Sequence, residues 1–275
     1  MIARILVDNL TKDDLVPEWG LSVYVEQGKR KYLVDTGASG QFLCNARAMG
    51  IDLSAVEFGV LSHAHYDHAD GMGAFFEVND HAPFYLRQGA GENCYSRKKF
   101  FPRYIGIKKG TLKTYDERIV YAEGDLEICP GITLMPHKTP GLEEIGRKIG
   151  MYVRNGIRLC PDCFAHEQSL VAETKSGLVI FNSCSHGGAD NIIREVAETW
   201  PEKQIRAYIG GLHLYRRTEE DVRALAKQIR KLGISEIYTG HCTGEKAFEI
   251  LKEELGDCIR QIYTGMEIVI DEEND

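Results

Sequence analysis

Apolar residues along the chain follow two spacings, one typical of β-strands and one typical of helices that pack on a sheet. Short apolar runs predict strands at residues 21–25, 31–34, 58–61, 118–122, 169–172, 178–181, 206–209, 236–238 and 267–270. Apolar residues that recur every three or four positions predict helices at about 42–49, 191–200, 218–232 and 245–255. This alternation with compact turns predicts a layered α/β fold, formed by a single domain over residues 1–275.

The pattern loosens between about residues 89 and 147. Glycine and proline punctuate this stretch, and only short strand-like pieces interrupt it. We therefore expect an insertion or a lid within the domain.

Composition limits the classes of function that the chain can serve. The chain has 33 basic and 41 acidic residues, a formal charge of −8, and four of the acids lie in its last five positions. This charge excludes a broadly basic nucleic-acid binder. We expect a cytoplasmic protein with reduced thiols and no membrane contact, because no apolar stretch reaches the 18 to 20 residues of a membrane span or resembles a signal peptide. Oligomeric state is not predictable from the sequence.

The densest chemical signal directly follows the strand predicted at 58–61. Residues 62–68 read SHAHYDH and place four metal-competent side chains, His63, His65, Asp67 and His68, within six positions. Imidazole and carboxylate suit zinc, iron or manganese. A polar surface loop with incidental histidines is the less favoured interpretation of such a dense run.

Three further histidines also follow predicted strands. His186, His213 and His241 each lie in a turn rich in glycine, serine or cysteine. Ligands collect at the carboxyl ends of strands in α/β sheets, so these residues are predicted to meet the first run in one site.

These motifs resemble the metallo-β-lactamase superfamily, whose signature is a His-x-His-x-Asp-His run after a strand. The resemblance extends to VDTG at residues 34–37. More narrowly, residues 177–193, 209–214 and 241–244 resemble the dihydropteroate-synthase-like branch of that family. The resemblance implies a four-layer αβ/βα sandwich for nearly the whole chain.

The resemblance also implies a set of metal ligands. One ion would be bound by His63, His65 and His186, and the other by Asp67, His68 and His241. Asp35 would hold a metal-bound imidazole through its second ring nitrogen. The expected cofactor is a pair of divalent ions, zinc before iron or manganese.

The sequence departs from the family where the wider superfamily usually places a bridging aspartate. This chain has Ser183-Cys184-Ser185 there, so Cys184 is a candidate soft ligand. Asp162 and Glu167 are fallback carboxylates, and His137 is a rival third ligand that ranks below His186.

The resemblance implies hydrolysis of an anionic, phosphate-bearing small molecule by a metal-activated water. Asp67 and His213 are the expected catalytic residues, with Asp67 also a ligand. An alternative is transfer of a dihydropterin methyl group onto an aminobenzene ribose phosphate with loss of diphosphate. A second alternative is a non-catalytic metal-binding protein or an iron redox protein.

A basic run is the candidate phosphate site. Arg97, Lys98, Lys99 and Arg103 lie among aromatic residues that can stack on a flat ring. A solvated loop is an equally weighted interpretation. Cys160 and Cys163 form a single C-x-x-C, which favours a buried pair of thiols over a zinc or redox site.

Overall fold

The computed structural model describes residues 1–12, 14–97 and 101–271. Its first sheet has seven strands. In spatial order they are β18 (Glu267–Val269), β1 (Ile2–Val7), β2 (Ser22–Gln27), β3 (Arg30–Val34), β4 (Phe58–Val60), β5 (Phe84–Arg87) and β8 (Ile119–Ala122).

The second sheet also has seven strands. In spatial order they are β17 (Ile259–Gln261), β16 (Glu236–Thr239), β15 (Ile205–Ile209), β14 (Gly177–Phe181), β13 (Gln168–Thr174), β10 (Ile132–Pro136) and β9 (Leu126–Cys129).

A third, four-stranded sheet lies apart from these two, and we call it the cap sheet. Its strands in spatial order are β12 (Arg158–Pro161), β11 (Met151–Asn155), β6 (Cys94–Ser96) and β7 (Arg103–Tyr104).

The helices pack mainly on the outer faces of the two large sheets. They are α1 (Gln41–Ala48), α2 (Tyr66–Ala69), α3 (Met72–Val78), α4 (Thr111–Thr114), α5 (Leu142–Ile149), α6 (Ala189–Thr199), α7 (Glu219–Leu232) and α8 (Glu245–Leu255). Helix α7 begins as its sequence predicts, because the Thr218 hydroxyl accepts a hydrogen bond from the Asp221 N–H. It ends at Gly233, which adopts a left-handed conformation with φ +68°.

The two large sheets face each other across a shared apolar core. Val23 and Val60 of the first sheet and Val179 and Ile209 of the second belong to this one cluster. A second cluster joins the outer face of the second sheet to α6, α7 and α8, and a third joins the first sheet to α1 and α3. This layering confirms the predicted four-layer αβ/βα sandwich.

Strand direction decides where loop residues lie. Strands β3, β4, β5 and β8 run parallel, as do β14, β15, β16 and β17. The segments that follow β3, β4, β14, β15 and β16 supply the side chains that meet in one site.

The segment 89–147, for which an insertion or a lid is predicted, is divided among three sheets. Only β6 and β7 belong to the cap sheet, whereas β8 joins the first large sheet and β9 and β10 join the second. The cap sheet also takes β11 and β12 from beyond this segment. The residue that follows β7 is hydrogen-bonded to the segment after β4, which carries the predicted metal ligands, because the Tyr66 N–H donates to the Ile105 carbonyl at 3.0 Å.

The expectation of a buried thiol pair in the C-x-x-C is wrong. Cys160 is half-buried at the end of the hairpin strand β12, and Cys163 is exposed in the turn that follows. Within the three described ranges, no helix combines the length and the apolarity needed to span a membrane.

Candidate metal centre

Five loops bring the predicted site residues together. Asp35 follows β3, residues 63–68 follow β4, and Cys184 and His186 follow β14. His213 follows β15 and His241 follows β16. The backbone is strained at this edge, because Asp35, Ser185, His213 and His241 all have positive φ between +47° and +59°. Such strain in non-glycine residues clusters at functional sites.

The histidine rings pack directly against one another. The ring centroids of His63 lie 4.6 Å from those of His65 and His186, and 4.2 Å from that of His68. His68 and His241 are 4.9 Å apart, and His186 and His213 are 4.5 Å apart.

The side chains of each predicted donor group lie close together. In the first donor group, His63, His65 and His186 each offer a ligand atom, and these atoms lie within 4.8 Å of one another. In the second donor group, consisting of Asp67, His68 and His241, the Nε2 atom of His241 lies 3.1 Å from His68 Nε2 and 3.6 Å from Asp67 Oδ2.

Cys184 lies between the two donor groups. Its Sγ atom is 3.4 Å from His68 Nε2. Cys184 also forms a possible ligand set with His63 and His68, and another with His186 and His213. Ligands of a single tetrahedral zinc are separated by about 3.3 to 3.7 Å. The sulfur therefore occupies a position from which it can reach either ion.

Asp35 holds two of the histidines. Its Oδ1 accepts from the Ser62 N–H at 2.7 Å, and its Oδ2 accepts from the Ser62 hydroxyl at 2.6 Å and from His68 Nδ1 at 2.8 Å. The Ser62 hydroxyl donates to Asp35 and therefore accepts from His63 Nδ1, at 2.8 Å. In the neutral rings of His63 and His68, Nε2 then carries a lone pair.

Asn9 orients the ring of His241, again through a hydrogen bond to Nδ1. The Asn9 amide donates to the His241 carbonyl at 3.0 Å, and its oxygen faces His241 Nδ1 at 3.1 Å. His241 Nδ1 is therefore the donor, and His241 Nε2 carries a lone pair.

His186 is held by Glu167, whose Oε2 atom lies 2.6 Å from His186 Nδ1. The other carboxylate oxygen of Glu167 accepts from His137 Nε2 at 2.8 Å. His137, the rival third ligand, thus lies behind His186, and its ring nitrogens face Glu167 and Glu195 instead of the centre. Glu167 positions His186 rather than replacing the absent aspartate. Asp162, the other fallback carboxylate, binds His166 at 2.9 Å.

These donors fit divalent cations. The lone pairs of His68 and His241 face each other across 3.1 Å, which is repulsive unless a cation or a proton lies between them. The Nε2 atoms of His63 and His65 are buried and have no hydrogen-bond partner among the residues that the structure describes. A set of imidazoles, a carboxylate and a thiol suits zinc, and also iron.

Burial keeps most of these rings neutral. Burial and the neighbouring imidazoles hold the pKa values of His63, His65 and His241 well below the ordinary value. Burial and His186 do the same for the pKa of His213. The pKa of His68 is raised, since Asp67 and Asp35 outweigh the effect of burial. At His68 a proton therefore competes with a metal ion.

The centre opens into a cavity of about 760 Å³. Besides the metal-centre residues, its wall contains aromatic side chains and two arginines, namely Trp19, Tyr66, Phe101, Tyr215, Arg103 and Arg216. The indole N–H of Trp19 donates to Asp67 Oδ2 at 2.9 Å. His213 also lines the cavity, and its Nδ1 is buried with no partner in the described part of the chain.

The predicted phosphate run is only partly at this cavity. Arg103 lines it, whereas the Arg97 guanidinium lies 5.1 Å from the Tyr152 ring centroid. Lys98 and Lys99 lie outside the described residues. Sequence reasoning missed Trp19, Tyr215 and Arg216. Arg216 had a usable signal, because it follows a strand-end histidine by three positions.

Comparison with known proteins places this geometry in a family. Residues 18–144 match the family model described as the metallo-β-lactamase superfamily. The chain is 28% identical to a 7,8-dihydropterin-6-methyl-4-(β-D-ribofuranosyl)-aminobenzene-5′-phosphate synthase of Methanocaldococcus jannaschii, with 90% of each chain covered.

Solved structures agree with this family. A metal-dependent hydrolase of the β-lactamase superfamily superposes with a TM-score of 0.86 at 31% identity, covering 99% of this chain and 100% of the other. A diphosphatase of the PhnP family shares the fold alone, with a TM-score of 0.56 at 13% identity and 98% of each chain covered. The chain belongs to the metallo-β-lactamase superfamily.

Proposed function

We propose that this chain is a dinuclear metal-dependent hydrolase that acts on an anionic, phosphate-bearing small molecule. The observation that carries the proposal is the direction of the histidine lone pairs. Hydrogen bonds to Asp35, Ser62 and Asn9 turn the Nε2 atoms of His63, His68 and His241 toward the centre. A structural histidine cluster would instead use those nitrogens for hydrogen bonds within the protein.

The two donor groups would each bind one ion, and Cys184 would serve as the shared soft ligand. When bound, such a pair of ions activates a water molecule for attack and neutralises an anionic substrate. The Trp19 N–H fixes Asp67 Oδ2, so the other carboxylate oxygen is free to orient a nucleophile. His213 lines the cavity, and we expect its imidazole to exchange a proton with the substrate.

The cavity wall supports the substrate class. Arg103 and Arg216 supply positive charge for phosphate oxygens. Trp19 and Tyr215 pack edge to face with centroids 5.8 Å apart, which gives a flat ring a surface to stack on. The cavity volume of about 760 Å³ is within the ordinary range for small-molecule sites.

The test combines metal analysis with a substrate screen. Protein purified without added metal, then loaded with zinc, iron or manganese, is expected to hold two ions per chain. It is then assayed on phosphodiesters, aryl phosphates, lactones, thioesters and pterin phosphates. Fewer than about 0.3 ions per chain after loading would refute the dinuclear centre, because sites of this ligand type bind tightly. Full activity in His65→Ala would refute its catalytic role.

A second candidate is transfer of a dihydropterin methyl group onto an aminobenzene ribose phosphate with loss of diphosphate. The 28% identity to the Methanocaldococcus jannaschii synthase over 90% of the chain favours it. The same arginines would then bind the diphosphate as it leaves. Incubation with the diphosphate ester of the dihydropterin methyl group and with the aminobenzene ribose phosphate distinguishes the candidates. Transfer yields the coupled product and diphosphate in equal amounts, whereas hydrolysis of the pterin diphosphate yields no coupled product.

A further inference from the structure

The segment that joins β1 to β2 lies against the second donor group. We call its described residues, 8–12 and 14–21, the β1–β2 loop. The Trp19 indole N–H donates to Asp67 Oδ2 at 2.9 Å, and Asn9 Oδ1 accepts from His241 Nδ1 at 3.1 Å. Two of the three ligands in the second donor group thus take a hydrogen-bond partner from this one loop.

The same loop also holds the backbone of His241. The His241 N–H donates to Asp8 Oδ2 at 2.9 Å, and the His241 carbonyl accepts from the Asn9 amide at 3.0 Å. Asp8 is fully buried, and its other carboxylate oxygen accepts from the Leu10 N–H at 3.1 Å. His241 has a positive φ of +47°, a conformation that costs a non-glycine residue free energy. The hydrogen bonds to Asp8 and Asn9 stabilise His241 in that conformation.

The Trp19 side chain contacts both of these ligands. Its ring centroid lies 5.1 Å from that of His241, with the two planes at 54°. The oxygen that accepts from the indole, Asp67 Oδ2, is also the one that lies 3.6 Å from His241 Nε2. A carboxylate oxygen has two lone pairs, so Oδ2 can accept from Trp19 and still bind a cation. One side chain therefore orients a carboxylate and an imidazole that face the same ion.

The β1–β2 loop is fixed at points outside the metal centre. Asn45 of α1 accepts from the Val16 N–H at 3.1 Å and donates to the Val16 carbonyl at 2.9 Å. Glu18 Oε1 accepts from the Ala38 N–H at 2.9 Å. Next to Trp19, a Cβ atom added at Gly20 would lie 2.5 Å from the Asp67 carbonyl oxygen. Glycine at this position therefore allows the close approach that brings the indole to Asp67.

The first donor group is oriented from other parts of the fold. The Ser62 hydroxyl accepts from His63 Nδ1 at 2.8 Å, and Ser62 comes from the segment after β4. Glu167 Oε2 lies 2.6 Å from His186 Nδ1, and Glu167 comes from the segment before β13. The three loop side chains hydrogen-bond instead to ligands of the second donor group. The supports of the two ions are therefore largely separate.

We propose that the β1–β2 loop controls the second ion alone, with Trp19 as the positioning residue for Asp67 and His241. This inference rests on the proposed metal centre. Loss of the indole N–H frees Asp67 Oδ2 to rotate away from the second ion, whereas His63 and His186 keep their own partners. The second ion can then leave while the first is retained, so the dinuclear centre consists of two separable sites.

The experiment uses Trp19→Phe, which keeps an aromatic ring and removes the N–H donor. Val16→Ala, at a side chain of the same loop that is 50% exposed, is the matched control. Cobalt(II) is titrated into the metal-free full chain against a competing chelator that resolves the two affinities, and thermal unfolding of the metal-free protein checks the fold. Trp19→Phe is expected to weaken one cobalt site by about 10- to 100-fold and to leave the other unchanged. Val16→Ala is expected to change neither.

Glu167→Gln identifies which site is which. Glu167 orients His186 of the first donor group, so this variant is expected to weaken the cobalt site that Trp19→Phe leaves unchanged. Equal losses at both sites in a folded Trp19→Phe, or losses at the same site in both variants, would overturn the inference. Unchanged cobalt affinities in Trp19→Phe would overturn it as well.

A second measurement remains informative if Trp19→Phe fails to fold. The chain has two tryptophans, Trp19 and Trp200, so its ¹H–¹⁵N spectrum contains two indole signals, and Trp200→Phe assigns them. Because the Trp19 indole donates to Asp67, its signal is expected to move during zinc titration in the binding step that Glu167→Gln leaves unchanged. A Trp19 signal that moves as far in the other step, or in neither step, contradicts control of the second ion by the loop.

Failure of the proposed function gives a different result. If the wild-type chain takes up one cobalt ion or none, the dinuclear centre fails and the inference falls with it. If the wild-type chain takes up two ions and Trp19→Phe binds both with wild-type affinity, only the role of the β1–β2 loop fails.

Discussion

Two adjacent histidine clusters in this chain are built in opposite senses. In the metal centre, carboxylate, hydroxyl and amide oxygens take the outer ring protons, so lone pairs face inward. In a second cluster beside His65, formed by Cys94, Asp162 and His166 and called the Cys94 cluster, His166 Nε2 donates to Asp162 Oδ2 at 2.9 Å. The hydrogen-bond partners of the ring thus decide whether a buried histidine is suited to bind a cation or to hold a proton.

The pKa values of His63 and His65 differ from that of His166 in the same sense. Burial and neighbouring imidazoles lower the pKa of His63 and His65 well below the ordinary value. The pKa of His166 is raised well above it, because Cys94 and Asp162 outweigh the effect of burial. Burial alone therefore does not separate the two clusters, and the partner chemistry does.

The largest effect is expected for Asp35→Asn, which affects both donor groups at once. An amide cannot accept from His68 and from both donors of Ser62, so the rings of His63 and His68 lose their orientation. Each such loss costs about 10- to 100-fold in metal affinity, and we expect about 100- to 10,000-fold overall. Chelator competition with zinc measures it, and Asp80→Asn, at a fully exposed carboxylate, is the matched control. Unchanged zinc affinity would show that Asp35 is not needed to orient the rings of His63 and His68.

Asp162→Asn is expected to lower the stability of the fold while leaving metal binding largely intact, the reverse of Asp35→Asn. The variant breaks the buried pair with His166 and is expected to lower the free energy of unfolding by about 3 to 5 kcal/mol. Both ions should still bind, with a loss in affinity below about tenfold. Urea unfolding of the metal-free protein and metal analysis measure the two quantities. Asp257→Asn, which removes an exposed ion pair with Lys252, should cost at most about 1 kcal/mol. Loss of metal without loss of stability in Asp162→Asn would abolish the distinction between the clusters.

Much of the fold was predictable because it follows local patterns. Helix α8 has the predicted bounds, and nine of the strands lie where apolar runs predict them. The cap sheet was not predictable, since β6 and β11 are short and pair across more than fifty residues of sequence. No local pattern encodes such a pairing.

The candidate site was predictable where a motif follows a parallel strand. Residues 162–167 instead precede β13, which runs antiparallel to β14, so the start of β13 lies at the functional edge. A search for residues after strands therefore overlooks His166. The same search wrongly favours His137 as a ligand. It follows a strand, β10, but Glu167 lies between it and the centre. The role of Trp19 depends on Asp67, a neighbour distant in sequence.

A third prediction concerns His137, a protonated histidine adjoining the metal centre. Glu167 and Glu195 outweigh burial and raise the pKa of His137 to about 9. Because this value exceeds that of the unfolded chain, about 6.5, the stabilisation is complete below pH 6.5 and is lost as the pH rises through 9. It amounts to at most about 3 kcal/mol.

Urea unfolding of metal-free His137→Gln from pH 6 to 10 tests this. The variant should be least stable relative to wild type at pH 6 and should approach it by pH 10. His81→Gln, at an exposed histidine, should run parallel to wild type. A constant difference between His137→Gln and wild type across the range would mean that His137 is not protonated in the folded chain.

The smallest effect is expected at the cavity wall, where anion binding can be separated from cation binding. Arg216 lines the cavity but belongs to neither histidine cluster, so Arg216→Ala should leave the bound zinc unchanged. It removes one charge-assisted contact, and the affinity of the zinc-loaded protein for diphosphate should fall about tenfold. Calorimetry measures this, and Arg97→Ala is the matched control because the Arg97 guanidinium lies over Tyr152 instead. If both variants bind diphosphate like wild type, Arg216 is not part of the substrate site.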